Sequence, residues 1–199
     1  EEEKTFTTEE LFEQEEKDKK DSDYAYEAYD KALYFIDKEE YEKALPCLEI
    51  VIKTNISSLK ALAYFQIGYC YSKLGFYKDA IEAFKQAIRI DPDDADARYN
   101  LGVAYSGLGL YREAIEAYKQ AIRIDPDNTN AHDNLGVAYV QLGFYKDAIE
   151  AFKQAIRIDP DNTNAHGNLG VAYVHLGFYK DAIEAFKQAI RIDPDYANA

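Results

Sequence analysis

TNAHDNLGVAYVQLGFYKDAIEAFKQAIRIDPDN, residues 129–162, is followed at once by TNAHGNLGVAYVHLGFYKDAIEAFKQAIRIDPDY, residues 163–196. The two stretches agree at 31 of 34 positions and differ only at Asp133/Gly167, Gln141/His175 and Asn162/Tyr196. A 34-residue period marks an array of helix–turn–helix units. One such unit cannot bury its apolar face alone, so it stacks on copies of itself. Arrays of this kind present extended recognition surfaces rather than closed catalytic pockets.

Working outward, residues 95–128 and 61–94 carry the same frame. Each unit has an apolar–glycine pair (Ile67-Gly68, Leu101-Gly102, Leu135-Gly136, Leu169-Gly170) and a second glycine seven residues later (Gly75, Gly109, Gly143, Gly177). Alanines recur in phase at Ala80, Ala114, Ala148 and Ala182 and again at Ala87, Ala121, Ala155 and Ala189. Asp-Pro closes each unit, at Pro92, Pro126, Pro160 and Pro194. A glycine inside a helix costs about 1 kcal/mol against alanine, so its recurrence at fixed phase implies a compensating contact. The first glycine is expected to let the two helices of a unit approach, with the small alanines opposite. The second marks the end of the first helix, where glycine tolerates a left-handed conformation. Proline disfavours helical geometry in the Asp before it and ends the second helix. Asp161 or Asn162, and their counterparts, then cap the next one. Ala148, Phe152, Ala155 and Ile156 form an apolar stripe, with Lys146 and Glu150 as a pair on the wet side. Helices of about 14 residues are marginal alone, so stacking must supply the stability.

These motifs, with aromatics in phase at Tyr77 and Phe84, resemble the tetratricopeptide repeat family over about 170 residues. The resemblance implies an all-α, right-handed superhelical solenoid of helix-turn-helix units at 61–94, 95–128, 129–162 and 163–196, behind a degenerate first unit at 25–60. In that first unit Ala32 replaces the first glycine, Glu39 replaces the second, and Tyr41 and Ala44 keep phase. Pro46 is expected near the start of its second helix, and Leu59 and Lys60 restore the register. The family often has Trp early in the first helix, where this chain has Tyr64, Arg98, His132 and His166. His132 and His166 are expected to pack in its place.

Residues 1–24 read as a charged N-terminal segment. Thr7 and Glu10 form a capping box and Phe6 can pack on Leu11 as a staple. A short helix is therefore expected near residues 8–20, with a break at Asp21-Ser22, and the acidic run Glu1–Glu3 reads as solvated. Residues 197–199, with Tyr196, read as the truncated start of a further unit. Either more repeats follow, or the last unit offers its apolar side, around Phe186 and Ile190, to another chain. Self-association through this uncapped repeat is the corresponding expectation. The opening on Glu1 points to a mature or trimmed product.

The balance of 37 acidic against 23 basic residues gives a net charge of −14, half of it within residues 1–24. Such a chain repels phosphate backbones and anionic headgroups, which argues against nucleic acid as a partner. No apolar run approaches the roughly 20 residues of a membrane span, so no membrane insertion is expected. A cytoplasmic location is expected, although a removed export signal would leave no trace. Cys47 and Cys70 lack metal-ligand spacing and read as small buried hydrophobes. The repeat-equivalent His132 and His166 should stand about 10 Å apart, too far to share a zinc ion with ligands at roughly 2 Å. No Ser/His/Asp set, phosphate loop or carboxylate pair stands out. Neither enzymatic activity nor a cofactor is expected.

The resemblance also implies that first helices line a concave inner face. On it fall Tyr29 and Leu33; Phe65, Gln66 and Tyr69; Tyr99, Asn100 and Val103; Asn134 and Val137; and Asn168, Val171 and His175. Ser72 and Ser106 share the same stripe. The N-terminal half is aromatic, and the C-terminal half carries a valine row and an asparagine row. A carboxamide offers two donors and an acceptor, so Asn100, Asn134 and Asn168 can pair with the main chain of an extended peptide. They look like the asparagine ladder of the protein O-glycosyltransferases' repeat region; alternatively, they tie helix to helix. Chaperone adaptors of the family grip a C-terminal carboxylate with Lys, Arg and Asn. Here Tyr29, Leu33, Phe65, Tyr69, Asp133, Val137, Gly167 and Val171 stand instead. A partner protein or peptide with an aliphatic or aromatic anchor and basic flanks fits better. The expected function is a non-enzymatic interaction scaffold that binds a peptide segment in the groove. The alternative is the recognition region of a larger enzyme, such as a glycosyltransferase. The verbatim recurrence of Phe76–Asp91 at 144–159 and 178–193 also fits a consensus-designed array, whereas the irregular first unit favours natural duplication.

Overall fold

The computed structural model describes residues 8–195, with side chains from residue 19 onward. The Thr7 capping box, the Phe6 staple, the Glu1–Glu3 run and the unit opening at 196–199 lie outside the described residues. Among those described are ten α-helices and no strand: α1 (Thr8–Asp37), α2 (Tyr41–Ile52), α3 (Ser57–Lys73), α4 (Tyr77–Ile90), α5 (Ala95–Gly107), α6 (Tyr111–Ile124), α7 (Thr129–Gln141), α8 (Tyr145–Ile158), α9 (Thr163–His175) and α10 (Tyr179–Ile192). They pair as consecutive hairpins. Helices α1–α4 form one compact unit ending at Pro92, and α5–α10 form a second beginning at Asp93.

In the first unit the N-terminal helix corrects one expectation. Helix α1 runs unbroken for 30 residues through Asp21-Ser22. That stretch contains no Gly or Pro, and weak helix formers lose only a few tenths of a kcal/mol each. A break would instead leave two new sets of orphan backbone groups. Ala25, Ala28 and Ala32 then bury at helical spacing against Ala44, Leu48 and Val51 of α2. Pro46 is not near a helix start: it is the sixth residue of the 12-residue α2. It faces solvent, where water can take the Glu42 carbonyl that Pro46 cannot serve. Helix α3 starts at Ser57, inside the expected first unit, and Leu59 is buried within its added turn. Cys70 is fully buried, and burial pushes its thiol up to about 11, as suits an inert core residue.

The second unit is three near-copies of one hairpin. The core of each is an aromatic ring seated on a glycine. A Cβ built on Gly136 would lie 2.5 Å from a Phe152 ring carbon, and one on Gly102 would lie 2.5 Å from the Tyr118 ring. Sequence reasoning placed alanines opposite these glycines, but the ring is what fills the space. The alanines pack beside it, as Ala148, Ala151 and Ala155 do around the fully buried Phe152. Caps follow the expected chemistry. Asp94, Asn128 and Asn162 each accept from the backbone N–H three residues on, at 2.8–2.9 Å. First helices end in the left-handed conformation, at φ +76° for Gly143.

Glu150 pairs with Lys153 at 3.7 Å rather than with Lys146, and both groups are exposed, so the pair adds little. In α10 the repeat loses its cover. Ile149 of α8 is 6% exposed, while its equivalent Ile183 is 55% exposed. Tyr179 and Ile190 are also open, whereas Phe186 is half-buried.

Glu39 of the first unit adopts φ +57° at the position that glycine holds in the other hairpins. A side chain in that conformation costs roughly 1–2 kcal/mol, partly offset by the greater chain entropy of glycine when unfolded. Glu39→Gly is expected to stabilise the first unit by about 0.5–1 kcal/mol, seen as a higher urea midpoint. An unchanged or lower midpoint would contradict this account of the turn.

Candidate functional site

In the second unit, α5 touches α7 and α7 touches α9, while the second helices do not approach one another comparably. First helices therefore lie side by side and present one continuous face. Residues 34 apart stand at the same height on neighbouring helices.

Tyr99, Val103 and Val137 are half-buried on this face and pack against the hairpin cores beneath. Tyr99 leans on the Tyr118 ring at 5.9 Å. Val171 is 41% exposed and His175 is also exposed. His175 does not stand free: its ring stacks on Tyr145 at 4.4 Å, nearly parallel.

The asparagine row divides in two. Asn134 Nδ2 donates to Tyr99 Oη at 2.9 Å, and Asn168 Nδ2 donates to Asp133 Oδ1 at 3.2 Å, so each reaches the preceding first helix. Asn100 Nδ2 turns instead to the Asp96 carbonyl of its own helix, at 2.9 Å. Asn134 and Asn168 thus do tie helix to helix. Each still carries a second N–H and a carboxamide oxygen beyond that link.

Burial raises the Tyr99 phenol above its ordinary value, the Asn134 hydrogen bond lowers it, and the Asp133 charge raises it. Asp133 is half-buried, and burial pushes its carboxyl up while the Asn168 amide pulls it back in part. Sequence reasoning puts Asp133 on the inner stripe of its unit and uses it to argue against a cationic clamp. Its available signal was that Asp133/Gly167 is one of three differences between two otherwise identical repeats.

In the first unit, Phe65 packs edge-on to Phe84 at 5.9 Å and Tyr69 edge-on to Tyr41 at 6.2 Å. Lys73 Nζ sits 5.2 Å from the Tyr69 ring centre. The Tyr29 phenol is raised by burial, lowered by its hydrogen bond with Gln66, and raised by Asp30. Leu33 is exposed.

Two serines leave the stripe. Ser106 Oγ turns inward to Tyr118 Oη at 3.2 Å. Ser72 Oγ is likewise buried, but faces a hairpin with Phe84 at the Tyr118 position. Among the described residues it is a buried oxygen without a partner.

At the tryptophan-type position Tyr64 packs on the core of the first unit, while Arg98, His132 and His166 form hydrogen bonds. Arg98 Nη1 donates to Gln120 Oε1. His132 Nε2 and His166 Nε2 each lie 3.0 Å from a proline carbonyl, Pro126 and Pro160. A carbonyl only accepts, so the Nε2 of each ring carries the proton and clamps the inter-hairpin turn. Among the described residues no helix is long and apolar enough to cross a membrane.

The family profile described as "Tetratricopeptide repeat" matches residues 134–197, and that described as "TPR repeat" matches 68–109 and 107–143. A crystal structure of MamA is 27% identical with a TM-score of 0.77, covering 84% of this chain and 97% of that one. YrrB, described as "a TPR protein with an unusual peptide-binding site", is 26% identical with a TM-score of 0.74, covering 85% and 87%. MamA from Desulfovibrio magneticus RS-1 shares the fold at 22% identity, with a TM-score of 0.81 over 87% and 97%. No curated protein matches the chain.

The raised Asp133 carboxyl has a consequence for stability. The folded state holds this proton more tightly than the unfolded chain, whose Asp titrates near about 3.9. Ionised Asp133 therefore lowers stability above its folded value, and the loss disappears below the unfolded value. Asp133→Asn keeps an oxygen for Asn168 and is expected to raise the thermal midpoint at neutral pH. The difference should close below about pH 4. A midpoint that falls at neutral pH would contradict this.

Proposed function

The chain belongs to the tetratricopeptide repeat family, and from that premise we propose that it is a non-enzymatic scaffold that binds an extended peptide segment along its first helices. The fold is typical of protein–protein interaction scaffolds. The finer reading places the segment against Tyr99, Asn100, Val103, Asn134, Val137, Asn168, Val171 and His175 in the second unit. In the first unit the matching residues are Tyr29, Leu33, Phe65, Gln66 and Tyr69.

One observation carries this reading. Asn134 and Asn168 are each fixed by a single hydrogen bond to the preceding first helix, which orients the remaining amide groups before any ligand arrives. A preoriented donor and acceptor suit the main chain of a peptide and lower the entropy lost on binding. Val171 and Val174, both more than 40% exposed, offer apolar contact beside them. The peptide-binding site described for YrrB supports the same class of ligand. The charge of −14 favours partners with basic flanks. The open α10 edge at Tyr179, Ile183 and Ile190 supports a secondary apolar contact, with a second copy of the chain as its occupant.

Quantitative pull-down from the source lysate tests the groove. Tyr69→Ala, Asn134→Ala and Val171→Glu are compared with Arg157→Glu on α8. Val171 is exposed, so its variant should fold normally. A partner of the groove should fall at least about tenfold with Val171→Glu, a loss of some 1.4 kcal/mol, and should be unmoved by Arg157→Glu. Retention of every partner by all three groove variants would transfer the role to the second helices.

A further inference from the structure

Asp133 is a carboxylate set into the first-helix face of the second unit without a positive partner. We propose that it is a selectivity point that receives one basic side chain, arginine before lysine, from the bound peptide; this rests on the groove reading above. The surroundings define the acceptor. Tyr99, Asp133 and Gly167 stand at one height on α5, α7 and α9, each 34 residues from the next. Tyr99 closes one flank, its phenol oxygen held by Asn134. Gly167 contributes no side chain to the other flank, where the Asn168 amide binds Asp133 Oδ1.

An ionised carboxylate has about four acceptor positions, and Asn168 occupies one. Among the described residues no Lys, Arg or His forms an ion pair with Asp133; the ion pairs present involve other acids. A half-buried carboxylate left with one neutral donor is incompletely solvated, which agrees with the upward push on its proton affinity. A guanidinium supplies two parallel donors in the geometry a carboxylate accepts, and it sheds water more readily than an ammonium. Val137, one turn further along α7, and the exposed Val171 on α9 give the aliphatic stem a surface to lie on. The overall negative charge draws such a segment in.

A displayed library of random peptides, selected on the full chain and on Asp133→Asn, tests this. The wild-type chain should enrich arginine, then lysine, at a fixed spacing from an aliphatic residue. A selected peptide should bind Asp133→Asn about ten- to a hundredfold more weakly, the range expected for hydrogen bonds to a charged group. Asp133→Asn should itself return peptides that lack the basic position, and Asp133→Arg should shift selection towards Asp and Glu. Circular dichroism of each variant confirms that it folds. Identical sequences from both forms, or no basic enrichment on the wild type, would overturn the Asp133 assignment and leave the groove reading standing. If no form returns a peptide, the groove reading falls and the assignment falls with it.

Discussion

Each repeated hairpin is held by an aromatic ring lying where the Cβ of an ordinary residue would be. Phe152 over Gly136 and Tyr118 over Gly102 fix how closely two helices of a hairpin approach. The glycine loses about 1 kcal/mol of helix propensity against alanine. Full burial of an aromatic side chain outweighs that loss. With the ring seated, the flanking alanines come into contact and the apolar side of the second helix is left to receive the next first helix. Stacking then supplies the stability that helices of this length lack alone.

The same constraint shapes the face. Because α5, α7 and α9 touch side by side, groups 34 residues apart become neighbours, and a residue can be bonded by the amide 35 positions later. Asn134 to Tyr99 and Asn168 to Asp133 are both links of this kind. The repeat therefore acts on function through differences between copies. Where the copies agree, the face is uniform; where they differ, it acquires local chemistry. Asp133 against Gly167 and Gln141 against His175 are such differences, and the second leads to the stack on Tyr145. The ionised Asp133 loosens the free protein, and the proposed recognition of a cation would fall on that same group.

The periodic features could be read from sequence because the physics repeats with them. The 34-residue frame, the left-handed second glycines and the Asp/Asn caps depend only on residue type at fixed phase. What escaped the sequence depended on pairwise geometry or on competing small terms. The alanines opposite the first glycine were expected because both are small, but side-chain direction places the ring there. The break at Asp21-Ser22 rested on weak propensities that three buried alanines override. The helix of Pro46 begins early enough to put the proline mid-helix. Ser106 and Ser72 both turn inward, and only Ser106 meets a hydroxyl, that of Tyr118, a difference that periodicity alone cannot weigh. On the candidate face, residue types and their phase could be read from sequence, but which asparagines reach the preceding helix could not: Asn134 and Asn168 do, while Asn100 bonds within its own helix.

Urea unfolding of Gly136→Ala in two backgrounds tests the ring-on-glycine seat most directly. With Phe152 present, the added methyl should destabilise the second unit by about 1–3 kcal/mol. With Phe152→Leu the ring is gone, and the same substitution should become neutral or stabilising by up to about 1 kcal/mol, as helix propensity takes over. An equal loss in both backgrounds would contradict the account, because the glycine would then serve something other than the ring.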